Sequence, residues 1–190
     1  MYDCRQLIRE EIIEVYNNYM VFDFPKSELK PLPMILKSID MNQYICYGIF
    51  KENIFLGYAY FAMIDDSREK YYLLDYFAII SAMRNKGIGS CFLNLLEDYL
   101  YDAEIVLCET ELINGASGEE YNIRKSRFDF YLRNNFIDTG VESKIFNVDY
   151  NILELNLIGK HSIESIKNSY SELYRSFLPE KFYERFFVVK

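Results

Sequence analysis

Hydrophobic residues recur along the chain with the two periods that distinguish helices from strands. Near the start, Ile8, Ile12 and Val15 lie three to four positions apart, which predicts an amphipathic helix ending near Met20. A short strand is predicted before it, at Tyr2–Gln6. Prolines interrupt the next segment, which predicts a loop followed by a short helix over 27–36 that begins at a Ser27 cap.

Three runs rich in aromatic and β-branched residues follow, and each has the length of a strand. Polar turns separate them, so they predict an antiparallel meander. The strands are predicted at 43–50, 54–64 and 71–80, with turns at 51–53 and 65–70.

The second half of the chain alternates between the two periods. A helix over 86–101 and a strand over 104–112 predict a right-handed parallel crossover after the meander. Further elements are a helix over 119–134, a hairpin over 137–157 and a last helix capped by Ser162, while 181–190 is ambiguous. The pattern predicts a single α/β domain.

Composition and charge limit the kinds of partner that the protein can bind. The 190 residues are 51% hydrophobic and 26% charged, which is typical of a soluble folded chain. The net charge of −8 repels polyanions, so nucleic acid is not expected as a partner, whereas a basic small molecule would suit it. The longest uncharged run, 53–64, is too short to span a membrane, so no membrane partner is expected either.

The cysteine pattern bears on compartment and metal content. Cys4, Cys46, Cys91 and Cys108 have no spacing typical of a zinc site, so no metal is expected. The charged N-terminal sequence shows no apolar signal segment. We therefore expect reduced thiols and a cytoplasmic location.

A glycine-bearing, basic turn over 84–90 joins a predicted strand to a predicted helix. Gly87 and Gly89 have no Cβ, so nearby backbone N–H groups can approach an anion, and the helix dipole favours negative charge there. Arg84 and Lys86 add positive charge. The sequence of the turn predicts a pyrophosphate-binding site. The alternative is that the glycines serve only to make the turn tight.

The turn resembles the coenzyme A signature of the GNAT family of N-acetyltransferases, written Arg/Gln-x-x-Gly-x-Gly/Ala. Phe92 stands where a Rossmann fingerprint needs its third glycine, so that motif is excluded. The order of elements and the segment RFDFYLRNNF also resemble the family, over about residues 1–158. The resemblance implies a mixed, mostly antiparallel sheet splayed between its fourth and fifth strands and flanked by helices. Beyond the segment that resembles the family, we expect a C-terminal helical extension over 159–190, packed on the same domain.

The resemblance also implies how acetyl-CoA would be held as cosubstrate. The signature turn would bind its pyrophosphate, and the preceding strand would pair through its backbone with the pantetheine arm. The implied coenzyme-binding residues are Phe77, Ala78, Ile79, Arg84, Asn85, Lys86, Gly87, Ile88, Gly89 and Ser90.

Two carboxylates are candidates for the base that direct acetyl transfer to an ammonium requires. Glu109 interrupts an apolar strand and looks like the Glu that acts as base in ribosomal-protein N-terminal acetyltransferases of the family. The alternative is that Glu109 is an ordinary carboxylate at a strand end, exposed to solvent. Asp75, on the same strand face as Leu73 and Phe77, is the second candidate. The alternative is that Asp75 has a structural role and holds the neighbouring loop through hydrogen bonds.

Other site residues follow from position in the family pattern. Tyr131 matches the Tyr that protonates the coenzyme thiolate, although packing is an alternative. Glu111 is a candidate contact for a cationic acceptor, and Phe24 and Glu28 are candidate walls of the acceptor pocket. The single histidine, His161, is expected to be a surface or capping residue.

The expected function is acetyl transfer from acetyl-CoA to the amine of a small molecule. Two alternatives stay open: a coenzyme A-binding module without turnover, and a protein N-terminal or lysine acetyltransferase. A homodimer is a possible assembly.

Overall fold

The computed structural model describes residues 1–66 and 69–190. Its strands lie close to their predicted positions. The aromatic and β-branched runs therefore located the strands of the meander well. The second predicted turn includes Ser67 and Arg68, which lie outside the described residues. The strands are β1 (Tyr2–Gln6), β2 (Tyr44–Lys51), β3 (Ile54–Asp65), β4 (Lys70–Ile79), β5 (Ile105–Glu111), β6 (Phe136–Ile145), β7 (Val148–Leu155) and β8 (Phe187–Val189).

The helices depart from prediction mainly in the first forty residues. The first helix continues through a π-helical turn, Tyr16–Met20, into a short last turn. The predicted start of the next helix at Ser27 is wrong: it begins after Pro31, because proline suits a helix start but cannot lie further inside. The helices are α1 (Arg9–Val15), α2 (Val21–Asp23), α3 (Leu32–Asp40), α4 (Ile88–Glu97), α5 (Gly118–Arg133), α6 (Ile163–Phe177) and α7 (Glu180–Phe186).

The strands follow the order β1-β2-β3-β4-β5-β7-β6-β8 in one sheet. The sheet is mostly antiparallel, with one parallel pair at β4 and β5. At the start of that pair, the Glu104 N–H donates to the Lys70 carbonyl at 3.0 Å. The mixed α/β fold class predicted from the sequence is confirmed.

The chain divides into two compact units. Unit 1 comprises Met1–Met63 and Leu74–Leu100, and unit 2 comprises Ile64–Leu73 and Tyr101–Lys190. The core of unit 1 is unusually aromatic: Tyr58, Tyr60, Phe61 and Phe92 are almost completely buried. Aromatic rings bury large areas, so they account for much of its hydrophobic stabilisation.

Unit 2 is built around the β5–β7–β6 ladder and helix α6. Ser162 caps α6 as predicted, since its side chain accepts a hydrogen bond from the Ser165 N–H at 3.1 Å. The ambiguous C-terminal segment forms α7 and then β8, which pairs with the β6 edge. Because β5, β7 and α6 share this unit, the C-terminal extension packs with the strand that carries Glu109.

Candidate active site

Helix α4 begins with a backbone arrangement that leaves its first turn available to an anion. Gly87, the residue before the helix, has φ 76° and ψ 0°, a left-handed conformation that favours glycine. Among the described residues no side chain caps this end of the helix, and its first turn holds no acidic residue. No atom of the described chain lies within 4 Å of where a Gly87 Cβ would be. The predicted cradle is therefore geometrically open.

The basic side chains of this turn make protein contacts. The Arg84 guanidinium donates through Nε to the Ile79 carbonyl at 2.8 Å and pairs through Nη2 with Asp23 at 2.5 Å. The Lys86 ammonium donates to the Ala82 carbonyl at 3.0 Å. Arg84 thus ties the turn to the end of β4, and Asn85 has a left-handed φ of 62°. These contacts fix the shape of the turn.

The end of β4, predicted to bind the pantetheine arm, packs against α4 and β3. The Phe77 ring lies 5.5 Å from the Phe92 ring of α4. A Cβ on Gly57 would lie only 2.6 Å from the Ala78 carbonyl oxygen, so the two strands approach closely there. The predicted backbone role of Phe77, Ala78 and Ile79 stays a prediction.

Asp75 lies within a charged and aromatic cluster of unit 1. Its side chain is 9% exposed, pairs with the Lys30 ammonium and accepts a hydrogen bond from the Tyr44 hydroxyl. The Lys30 ammonium also lies 5.4 Å from the centre of the Tyr76 ring. The Tyr76 hydroxyl donates to the Glu28 carbonyl and accepts from the Lys30 N–H. This geometry supports the alternative in which Asp75 holds the neighbouring loop.

The two predicted acceptor-wall residues flank this cluster. Phe24 is half-buried, and its ring meets that of Tyr76 edge to face at 4.9 Å. Glu28 is exposed, and its backbone is fixed by the Tyr76 hydroxyl. Their predicted contact with an acceptor stays a prediction.

Glu109 of β5 is held by two tyrosines that the sequence did not identify. Its Oε1 accepts hydrogen bonds from the hydroxyls of Tyr170 at 2.5 Å and Tyr174 at 2.6 Å. Glu109 is half-buried and lies opposite Ile152 of β7. The carboxylate is therefore fixed within the protein, which disfavours the alternative of an ordinary solvated group.

Tyr131 of α5 is buried beside Cys108 of β5. The phenol hydroxyl hydrogen-bonds to the Cys108 thiol, and the ring packs edge to face on Phe136 at 5.1 Å. Burial, followed by the interaction with Cys108, raises the pKa of Tyr131 well above that of a free phenol. The group therefore stays protonated at neutral pH.

Glu111 has cationic partners within unit 2. Its carboxylate lies 3.0 Å from Arg127 Nη1 and 3.6 Å from Arg124 Nη2. Two guanidinium groups balance its charge, which argues against the predicted contact with a cationic acceptor.

His161, which the sequence predicts to be a surface or capping residue, is paired with a buried carboxylate. Its Nδ1 pairs with the carboxylate of Glu154, and its backbone N–H donates to the same group at 3.2 Å. Glu154 is only 1% exposed. No signal in the sequence marks this pairing, because Glu154 alternates with apolar residues like a solvent-facing strand position.

The family model for the acetyltransferase (GNAT) family matches residues 5–121, which is more than half of the chain. The chain belongs to the GNAT acetyltransferase family. The predicted membership is thus confirmed, and the matched residues include β2–β5, the α4 turn and Glu109. Tyr131, Tyr170 and Tyr174 of this GNAT protein lie beyond the matched segment.

Solved structures share the GNAT fold at low sequence identity. A protein described as a GNAT-family acetyltransferase from Bacteroides thetaiotaomicron is 17% identical, with a TM-score of 0.69 over 92% of this chain and 98% of that one. Ribosomal-protein-S18-alanine N-acetyltransferase from Escherichia coli is 15% identical, with a TM-score of 0.57 over 82% and 93%. Spermidine N-acetyltransferase from Vibrio cholerae, in complex with CoA and spermine, is 13% identical, with a TM-score of 0.57 over 80% and 94%. No curated protein matches the sequence.

Metal-binding clusters and membrane-spanning helices are both absent from the described part of the GNAT chain. Within residues 1–66 and 69–190, no group of three or more His, Cys, Asp or Glu side chains is arranged to hold a metal ion. No helix in the same ranges is long and apolar enough to cross a membrane.

Proposed function

We propose that this GNAT protein transfers an acetyl group from acetyl-CoA directly to the amine of a small molecule. The observation that carries the proposal is the start of α4, where Gly87 is left-handed and no side chain of the described chain caps the helix. Such a helix end attracts anions through its free N–H groups and its dipole. It lies within the Arg-x-x-Gly-x-Gly sequence that resembles the family's coenzyme A signature.

The residues of the turn fit a diphosphate. Open space surrounds the position of a Gly87 Cβ, so an anion can approach the backbone of residues 87–90 closely. Lys86 places a positive charge in the same turn of a chain whose net charge is −8, and Arg84, which pairs with Asp23, fixes the shape of the turn. Bound there, acetyl-CoA would supply a thioester whose carbonyl carbon an amine can attack.

Glu109 is the proposed base. An acceptor amine is mostly protonated at neutral pH and must lose a proton before it attacks. The Glu109 carboxylate is partly buried and held in place by Tyr170 and Tyr174, so it is preorganised to accept that proton. Asp75 is the weaker candidate, since Lys30 and Tyr44 already engage its carboxylate.

Tyr131 is the proposed acid. A thiolate leaving group needs a proton, and the raised pKa of Tyr131 keeps the phenol in the form that can donate one. Its hydroxyl already interacts with a sulfur atom, that of Cys108. The same geometry would suit a coenzyme sulfur.

A small cationic amine is the proposed acceptor class. The acidic surface would concentrate cations, and among proteins of similar fold one is a spermidine N-acetyltransferase. A chain terminus or lysine of another protein is the competing acceptor, and ribosomal-protein-S18-alanine N-acetyltransferase has a similar fold as well.

A thiol-release assay separates the candidates. The full chain is incubated with acetyl-CoA and, in separate reactions, with diamines and polyamines, with amino acids, or with peptides bearing a free N-terminus. The proposal expects amine-dependent release of free coenzyme A with a small amine. Thermal stabilisation by coenzyme A without thiol release would identify a binding module instead, and release with peptides alone would identify a protein acetyltransferase.

A further inference from the structure

Two tyrosines of the C-terminal extension donate to the same oxygen of Glu109. The Tyr170 and Tyr174 hydroxyls lie 2.5 and 2.6 Å from Oε1. Both belong to α6, and residues four apart lie on the same face of a helix. This helix lies outside the segment matched by the family model, so the family resemblance assigned neither residue a role.

The two phenols are themselves held rigidly. Tyr170 is completely buried, and its hydroxyl also hydrogen-bonds to the Ser143 hydroxyl of β6 at 2.9 Å. Tyr174 is 5% exposed, and its ring packs on Phe187 of β8 at 4.7 Å. Because both side chains are already ordered, their hydrogen bonds to Glu109 cost no further conformational entropy and can stabilise the carboxylate fully.

Several titratable groups of unit 2 lie near this carboxylate and bear on its charge. On β7, Ile152 lies directly opposite Glu109, and its neighbours on the same face are Tyr150 and Glu154, which lie opposite Glu111 and Leu107. The Glu154 carboxylate pairs with His161. The Cys108 thiol interacts electrostatically with Glu109, and burial raises the pKa of that thiol. On α5, Arg127 pairs with Glu111. From α6, the Tyr170 phenol remains protonated, because burial raises the pKa of Tyr170 well above its usual value.

We propose that Tyr170 and Tyr174 are positioning residues that keep the Glu109 carboxylate ionised and fix its orientation. Burial alone would favour the neutral acid, which cannot accept a proton. Hydrogen bonds to the charged form offset this effect. The inference rests on the proposed function, in which Glu109 is the base, and it makes the C-terminal extension part of the catalytic machinery.

The test measures the titration of Glu109 directly and then measures turnover. The full chain is labelled with ¹³C at the glutamate carboxyl carbons, and the Glu109 signal is assigned by its loss in Glu109→Gln. In Tyr174→Phe we expect the titration midpoint to rise by about one pH unit, since one hydrogen bond to a charged group is lost. Tyr183→Phe is the matched control, because the Tyr183 ring also stacks on Phe187, at 4.7 Å. In this variant the titration midpoint of Glu109 should equal that of the wild type.

Turnover provides the second readout. The pH at which kcat reaches half its plateau should rise with the NMR midpoint in Tyr174→Phe, with the plateau largely retained. A merely structural role would lower kcat equally at every pH. Tyr170→Phe tests the same point if its buried Ser143 partner tolerates the change, and Tyr174→Phe alone suffices if it does not.

The outcomes distinguish this inference from the proposed function. An unmoved NMR midpoint in Tyr174→Phe overturns the positioning role, even if Glu109→Gln abolishes turnover. A raised NMR midpoint together with full activity of Glu109→Gln would confirm the hydrogen bonds but refute Glu109 as the base, and the positioning role would fall with it.

Discussion

Replacing Gly87 with alanine tests the coenzyme cradle while disturbing little else. Gly87 has φ 76°, and no atom of the described chain lies within 4 Å of the added Cβ. The only cost to folding is therefore the left-handed backbone, about 1–2 kcal/mol for a residue with a Cβ. In a chain of this size, that lowers the melting temperature by roughly 2–4 °C per kcal/mol.

The chain offers a matched control in Gly140 of β6. It has φ 77° and the same open space around its Cβ position. Gly140→Ala should therefore lose about the same stability as Gly87→Ala. The two variants should differ in coenzyme affinity alone, because only at Gly87 would the methyl group occupy space needed by the phosphates.

Calorimetric titration with coenzyme A provides the comparison. We expect Gly87→Ala to weaken binding about tenfold or more, equivalent to about 1.4 kcal/mol, and Gly140→Ala to bind like the wild type. Equal affinity of all three proteins, with both variants folded, would refute the assignment of the turn as a phosphate site.

Four further substitutions test the remaining roles. Glu109→Gln should flatten the rise of kcat with pH, since an amide cannot accept a proton, and an unchanged profile would remove Glu109 as base. Tyr131→Phe should slow turnover at least tenfold with little change in coenzyme affinity, as the lost acid contributes roughly 10²–10⁴-fold in typical enzymes; unchanged kcat would indicate a packing role. Lys30→Met should cost about 3 kcal/mol in urea unfolding, because it leaves the Asp75 carboxylate without its buried partner. Adding Asp75→Asn should restore much of that loss, and no recovery would show that the ion pair is not the cause.

The elements of the sheet were predictable because their signals are local. The nearly continuous aromatic and apolar runs of β2, β3 and β4 mark the length of these strands, which are largely buried on both faces. The glycine-bearing turn was equally predictable, because Gly87 stands directly before an amphipathic helical run. Asn135 has a left-handed φ of 65°, a conformation that asparagine tolerates better than most residues.

The partners of the candidate site were not predictable, because they come from distant parts of the chain. Tyr170 and Tyr174 lie more than sixty positions from Glu109, and with 18 tyrosines in the sequence no single one stands out. Lys30 and Asp75 are likewise 45 positions apart. Only the folded chain shows which hydroxyl and which ammonium reach each carboxylate.

The most direct test of the central claim observes the backbone N–H groups at the start of α4 as acetyl-CoA is added. In ¹H–¹⁵N spectra of the full chain, the signals of residues 87–90 should shift strongly, while those of residues 163–165, at the start of α6, should not. Unmoved signals for residues 87–90 at saturating acetyl-CoA would contradict the claim that this helix end binds the coenzyme pyrophosphate.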